Sequence, residues 1–385
     1  MTRRIPLPGR RLAAAGLVAV MVLAACGSDD DATPATTEVT VAVGAPPTAP
    51  ADTVATNGTV TLVTYESFPE ADTSLNTALA SFTQTTGIGV EILVAGDTGT
   101  MLAKAALTAG NPEGDVMWGI DNSLLSRAID ENVFEPYLAT PIADGRVTIA
   151  DEFLELVPDA EATPVDYGDV CVNYDIAWFA ERDLDPPSSL ADLIDPTYAG
   201  MLVVQNPATS SPGLAFLLAT IHQYGLEGWQ DYWRALGENG VEVVEGWTEA
   251  YYERFTWAGG GPTPMVVSYG SSPPAEVIFA DPPRDDAPTG VIEDTCFRQV
   301  EFAGVLRGTD SPEAARRLVD FLVSEEFQAE IPLDLFVYPT NEAVELPSEF
   351  VEFAVIPETS RSLDPAVIDA NRSRWIDEWT ELVLG

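Results

Sequence analysis

Hydrophobic and polar positions along this chain follow two periods, and the two periods take turns. Val60 to Thr64 carries the two-residue period of a strand, and Ala71 to Thr86 the 3.6-residue period of a helix. The pair recurs with strand Val90 to Val94 before helix Thr100 to Ala109, and strand Asp115 to Trp118 before helix Asn122 to Glu131. A second block holds strand Met201 to Val204, helix Leu214 to Tyr224 and strand Pro264 to Ser268. From Gln299 a strand leads into a helix capped by Ser311, opened by Pro312 and continued by Ala314 to Val323. The last helix, Pro365 to Leu384, sets Trp375 and Trp379 one turn apart as packing residues. Such alternation predicts an α/β fold, with mostly parallel sheet and helices on both faces. Two blocks joined by crossing strands predict a two-lobed clamshell.

The amino terminus follows neither period. Arg3, Arg4, Arg10 and Arg11 precede an apolar run from Leu12 to Leu23, which is too short for an ordinary membrane span. Cys26 comes directly after Leu23-Ala24-Ala25, a spacing that resembles a bacterial lipoprotein box. The expectation is a signal peptide over 1–25, lipidation of Cys26 and a Thr/Ala/Pro/Val-rich tether over 26–58. The folded part, about 325 residues, is large enough for two cores. Lobe 1 is expected over 59–170 and 297–385, and lobe 2 over 171–296. The protein is then extracytoplasmic and held at the bacterial membrane by its lipid.

Charge changes this picture little. Lys and Arg number 18 against 61 Asp and Glu, and losing the four signal arginines leaves 14 − 61 = −47. That field argues against nucleic-acid partners and anionic lipid surfaces, and favours a cationic ligand only weakly. Cysteine counting says more. With Cys26 lipidated, Cys171 and Cys296 remain, and in an oxidising compartment they read as a disulfide at the crossing strands. The rival reading, a catalytic or metal-binding thiol, finds no nearby histidine. The one histidine, His222, lies in a helical stretch, and no nucleophile elbow, phosphate loop or dinucleotide glycine pattern occurs. The chain reads as a monomeric binder, without catalytic residues, metal or cofactor.

Clefts between α/β lobes are lined by loops at the carboxyl ends of strands. Five loops suit that role: Tyr65 to Phe68, Gly96 to Gly99, Asn206 to Gly213, Gly246 to Tyr251 and Ser268 to Pro274. Hydroxyls and free N–H groups at Thr209 to Gly213 could hold an anion or simply cap the helix. Trp247 and Tyr269 offer flat faces over which a cation can sit, and Asp97 and Glu66 offer carboxylates.

Six stretches of the chain resemble, in the same order, the thiamine-binding periplasmic proteins of ABC importers. They are Val63 to Phe68, Gly119 to Leu125, Asp166 to Gly168, Gln205 to Gly213, Gly246 to Tyr251 and Ser268 to Pro273. Ile331-Pro332, Tyr338-Pro339 and Arg374 to Trp379 continue the likeness, which covers nearly everything from Val60 onward. It implies a type II periplasmic-binding-protein clamshell that takes thiamine or its phosphates and delivers them to an ABC permease. It further implies ligand contacts from Asp97, Thr98, Ser210, Ser211, Trp247, Tyr269, Gly270, Ser271 and Ser272, with Tyr65 and Phe336 at the cleft. The chain departs from the family pattern at Glu66 (Asp in the family), Thr98 (Gly), Ala275 (Tyr) and Phe336 (Trp). A ferric-iron or polyamine binder of the same architecture is the alternative, with Tyr251, Tyr252 and Tyr269 as tyrosinate candidates. A secreted hydrolase is the more distant one.

Overall fold

The computed structural model describes residues 58–358 and 360–385. The signal stretch 1–25, Cys26 and the tether up to residue 57 lie outside the described residues. Ten strands form one sheet: β1 (Gly58–Thr64), β2 (Ile88–Val94), β3 (Val116–Asp121), β4 (Phe134–Glu135), β5 (Thr163–Asp175), β6 (Leu202–Gln205), β7 (Glu242–Val244), β8 (Met265–Tyr269), β9 (Thr289–Leu306) and β10 (Tyr338–Pro339). The order is β2-β1-β3-β9-β5-β8-β6-β7, with β4 on β9 and β10 on β5. Strand β1 runs parallel to β2 and β3, and β6 runs parallel to β7 and β8. Between these parallel halves, β5 and β9 are antiparallel to each other and to β8 and β3 respectively.

The sequence shows β5 and β9 only in pieces, because charged residues interrupt them. The pieces fuse because those charges have partners inside the fold. Arg298 donates through Nε to Asp169 Oδ1 at 2.9 Å, and Trp118 donates through Nε1 to Asp166 Oδ2 at 2.8 Å. Buried polar groups of this kind are tolerated only when so paired. The expected lobe boundaries at 170/171 and 296/297 fall within β5 and β9.

At those boundaries the ladder breaks. Val170 faces Phe297 and Val172 faces Ile292, so Glu293 to Cys296 bulge out opposite Cys171. Cys171 and Cys296 form a disulfide across the bulge. Thr295 Oγ1 fills the gap in the ladder, accepting from Val172 N at 2.8 Å and donating to Ile292 O at 2.6 Å.

Local capping shifts some helix ends from where the apolar period starts. The first helix is Ser74–Thr86 rather than beginning at Ala71, because Thr73 caps it: Thr73 Oγ1 accepts from Asn76 N, and Asn76 Oδ1 accepts from Thr73 N. The long last helix, Pro365–Val383, touches both halves. Trp379 meets Trp233 edge to face at 5.4 Å, and Arg372 donates to Ser123 O at 2.9 Å. Trp375 and Trp379 are fully buried. His222 is exposed in the last turn of its helix, away from the cavity described below.

Candidate functional site

The parallel strands of both halves end around one cavity of about 440 Å³, inside the usual range for small-molecule sites, roughly 300–1,000 Å³. The loop after β1 contributes Tyr65, Glu66 and Ser67, and the turn after β2 contributes Asp97 and Thr98. From the other half come Ser211, Trp247 and Tyr269. Glu301 of β9 and the Phe336–Val337 segment before β10 complete the wall.

Each side chain is held by a physical constraint. The edge of the Tyr65 ring abuts Gly119, where a Cβ would sit 2.2 Å from it, and Gly119 has φ +111°, so glycine is required twice over. Trp247 stacks on Tyr251 at 4.9 Å and 15° between planes, and its Nε1 donates to Ser268 Oγ at 2.9 Å. Ser268 Oγ shares a 2.8 Å hydrogen bond with Ser272 Oγ, which accepts from Tyr269 N at 3.2 Å. The Tyr269 hydroxyl donates to Gln299 Oε1 at 2.9 Å, and Gln299 Nε2 donates to Asp121 Oδ2 at 2.7 Å. The aromatic wall is thus tied into the sheet by hydrogen bonds.

The cavity is also acidic. Burial, with Glu66 and Glu245 nearby, raises the Asp97 pKa to about 7, although the Thr98 N–H donated to its carboxylate opposes the shift. Beneath it, burial holds Glu301 well above the ordinary carboxylate range, and Asp166 and Asp121 add to the effect. Glu301 is 8% exposed, and its Oε2 has no hydrogen-bond partner.

Of the residues expected at the site, Tyr65, Asp97, Thr98, Ser211, Trp247, Tyr269, Ser272 and Phe336 line the cavity. Ser210, Gly270 and Ser271 do not. Ser210 Oγ is buried behind the helix start without a partner. Gly270 is pinned through both backbone groups, donating to Asp169 O and accepting from Val355 N at 2.8 Å each. Ser271 Oγ donates to Phe336 O at 2.6 Å, so it positions the Phe336 loop.

The wall also holds residues outside the family motifs. Phe279 meets Phe336 edge to face at 5.6 Å and lines the cavity beside Ala275. The spacing Ser272, Ala275, Glu276, Phe279 puts one helix face toward the cavity, a signal that was present in the sequence. Glu276 joins the Tyr251 hydroxyl at 2.8 Å to Trp257 Nε1 at 2.6 Å. Glu301 gave no local signal, because it sits mid-strand and reaches the cavity only through the β5–β9 crossing.

A cavity walled by both halves of a crossed sheet, with two long strands between them, defines a two-lobed binding protein of the type II clamshell class. The chain belongs to the bacterial extracellular solute-binding proteins, whose family pattern matches residues 115–354. It is 29% identical over 325 residues to the thiamine-binding periplasmic protein of Salmonella typhimurium, covering 84% of this chain and 93% of that one. A solved periplasmic thiamin binding protein superposes with TM-score 0.71 at 27% identity, over 84% of this chain and 96% of the other. Iron-bound HitA from Pseudomonas aeruginosa shares the fold, with TM-score 0.64 at 20% identity over 84% and 99% of the two chains.

Proposed function

We propose that this protein captures thiamine outside the cytoplasm and hands it to an ABC-type permease. The observation that carries this reading is the pairing, within one cavity, of the Trp247–Tyr251 stack with the Asp97 carboxylate. A permanently cationic thiazolium gains from an aromatic face, and an aminopyrimidine amino group from a carboxylate. The relatives' names point the same way. Tyr65, Asp97, Thr98, Ser211, Trp247, Tyr269, Ser272 and Phe336 form the ligand wall in this reading. Lobes 59–170 with 297–385 and 171–296 close over the ligand by bending at β5 and β9. Closure buries it and presents the form the permease recognises. A lipid on Cys26 keeps the monomeric receptor beside that permease. The protein binds and releases, and performs no chemistry on its cargo.

Ferric iron is disfavoured by the state of the tyrosines. Burial raises the hydroxyl pKa values of Tyr251 and Tyr269 well above their ordinary value, with Glu276 adding to the first and Glu301 to the second. Both hydroxyls are spent as donors, to Glu276 and Gln299. Titration separates the two readings. Quenching of tryptophan fluorescence by thiamine is expected, whereas a visible absorbance band on adding ferric ion, without thiamine quenching, would sink the proposal.

Asp97 also sets a pH dependence. The ionised carboxylate binds a cation better, and with its pKa raised to about 7 the free protein holds a proton there at lower pH. Affinity for thiamine should therefore climb with pH, by up to about tenfold per unit below about 7, and level off above. Calorimetry at about pH 6 and about pH 8 reads this directly. Glu66, Glu245 and the Tyr269 hydroxyl face the same carboxylate, so Asp97→Asn is the control that should flatten the profile and weaken binding.

A further inference from the structure

We propose that Gly99 is a latch residue: its missing side chain lets the two halves of the molecule meet at Ala208 and Thr209 when they close over cargo, and so sets how long the cargo stays. The inference rests on the thiamine reading above, and it concerns a residue that touches no ligand.

Gly99 is the second residue of the Thr98–Leu107 helix, and its N–H donates to Thr209 O at 3.0 Å, in the turn ahead of the Ser211–Tyr224 helix. This bond joins one half of the molecule to the other without passing through β5 or β9. A Cβ at residue 99 would lie 2.6 Å from Ala208 O and 3.0 Å from Thr209 O, far inside ordinary van der Waals contact. Both atoms are backbone and cannot swing aside as the end of a side chain would. Thr209 is held in turn, with its N–H donating to Asn206 O at 3.2 Å and its Oγ1 to Glu245 O at 2.7 Å. The same two elements approach closely twice more. Thr98 Oγ1 donates to Ser211 Oγ at 3.4 Å, and a Cβ on Gly246 would lie 2.8 Å from Asp97 Oδ2.

Nothing in its own half calls for glycine at residue 99. The backbone there is helical and not left-handed, a conformation in which alanine is the better residue. The three atoms nearest to an added Cβ all belong to Ala208 and Thr209, across the junction. Gly99 is also separable from the site, since the cavity is lined by Asp97 and Thr98 but not by Gly99. The halves meet again at the other edge, where Ser271 Oγ donates to Phe336 O at 2.6 Å and Phe279 packs on Phe336, but Phe279 and Phe336 are part of the cavity wall. Cargo under closed halves leaves only after they part, so a junction of this kind acts on the dissociation rate more than on the association rate.

The test is Gly99→Ala in the full chain, followed by stopped-flow tryptophan fluorescence with thiamine and by urea unfolding of the free protein. Thiamine should leave the variant about fivefold faster, while its association rate stays within about twofold of wild type. The unfolding midpoint of the free variant should equal or exceed that of wild type, because alanine favours the helix. Gly99→Leu, bulkier at the same place, should release thiamine faster still. An unchanged release rate in both variants would overturn the latch and leave the thiamine reading standing. Faster release together with a lower unfolding midpoint in Gly99→Ala would also overturn it, since the contact would then be a permanent strut of the fold. A wild type that shows no response to thiamine would overturn both readings.

Discussion

Replacing Cys171 and Cys296 together by alanine should lower the unfolding free energy by about 2–5 kcal/mol, the largest stability effect expected of any pair in the molecule. The two residues are 125 apart in sequence, so the bond closes a long loop in the unfolded chain and removes much of its entropy. It also spans the point where the β5–β9 ladder is interrupted and only Thr295 Oγ1 bridges the gap. Urea unfolding of the wild type, with and without reductant, and of the double variant measures this. A loss below about 1 kcal/mol would show that the strands hold the crossing without the bond.

The largest effect on binding is expected at Trp247. Trp247→Ala should weaken thiamine binding roughly tenfold or more, about what one good cation–π contact is worth. Two structural losses add to the missing ring. Tyr251 loses the partner on which it stacks at 4.9 Å, and Ser268 loses the donor that ties the aromatic wall to β8. Trp247→Phe keeps a ring face and gives up the Nε1 bond, so it should fall between wild type and alanine. Calorimetry that finds alanine equal to wild type would remove Trp247 from the site.

Much of this was legible in the sequence, for identifiable physical reasons. Parallel strands and their helices announce themselves through local period, and the turns that follow them, at Tyr65, Asp97, Ser211 and Trp247, are where the cavity lies. Cysteine counting found the disulfide because so few cysteines remained to pair. What local pattern could not show was anything made by chain crossing. Strands β5 and β9 carry Asp166, Asp169, Arg298 and Glu301 in their interiors, which read as polar breaks until Trp118 and the Arg298–Asp169 pair are brought beside them. Ser210, Gly270 and Ser271 lie beside the cavity wall and not on it for a related reason. Motif membership gives proximity to a site, but which neighbour faces the cavity depends on backbone bonds, such as those of Gly270 to Asp169 and Val355. Phe279 shows the reverse case, a cavity-lining residue outside the motif that meets Phe336 edge to face.

The most direct test of the central claim is a crystal structure of the protein grown with thiamine. The account predicts ligand density in the cavity, with the thiazolium against the Trp247 ring and the aminopyrimidine within hydrogen-bond reach of a wall carboxylate. Density for thiamine outside the cavity, or a cavity that stays free of it at saturating thiamine, would contradict the account.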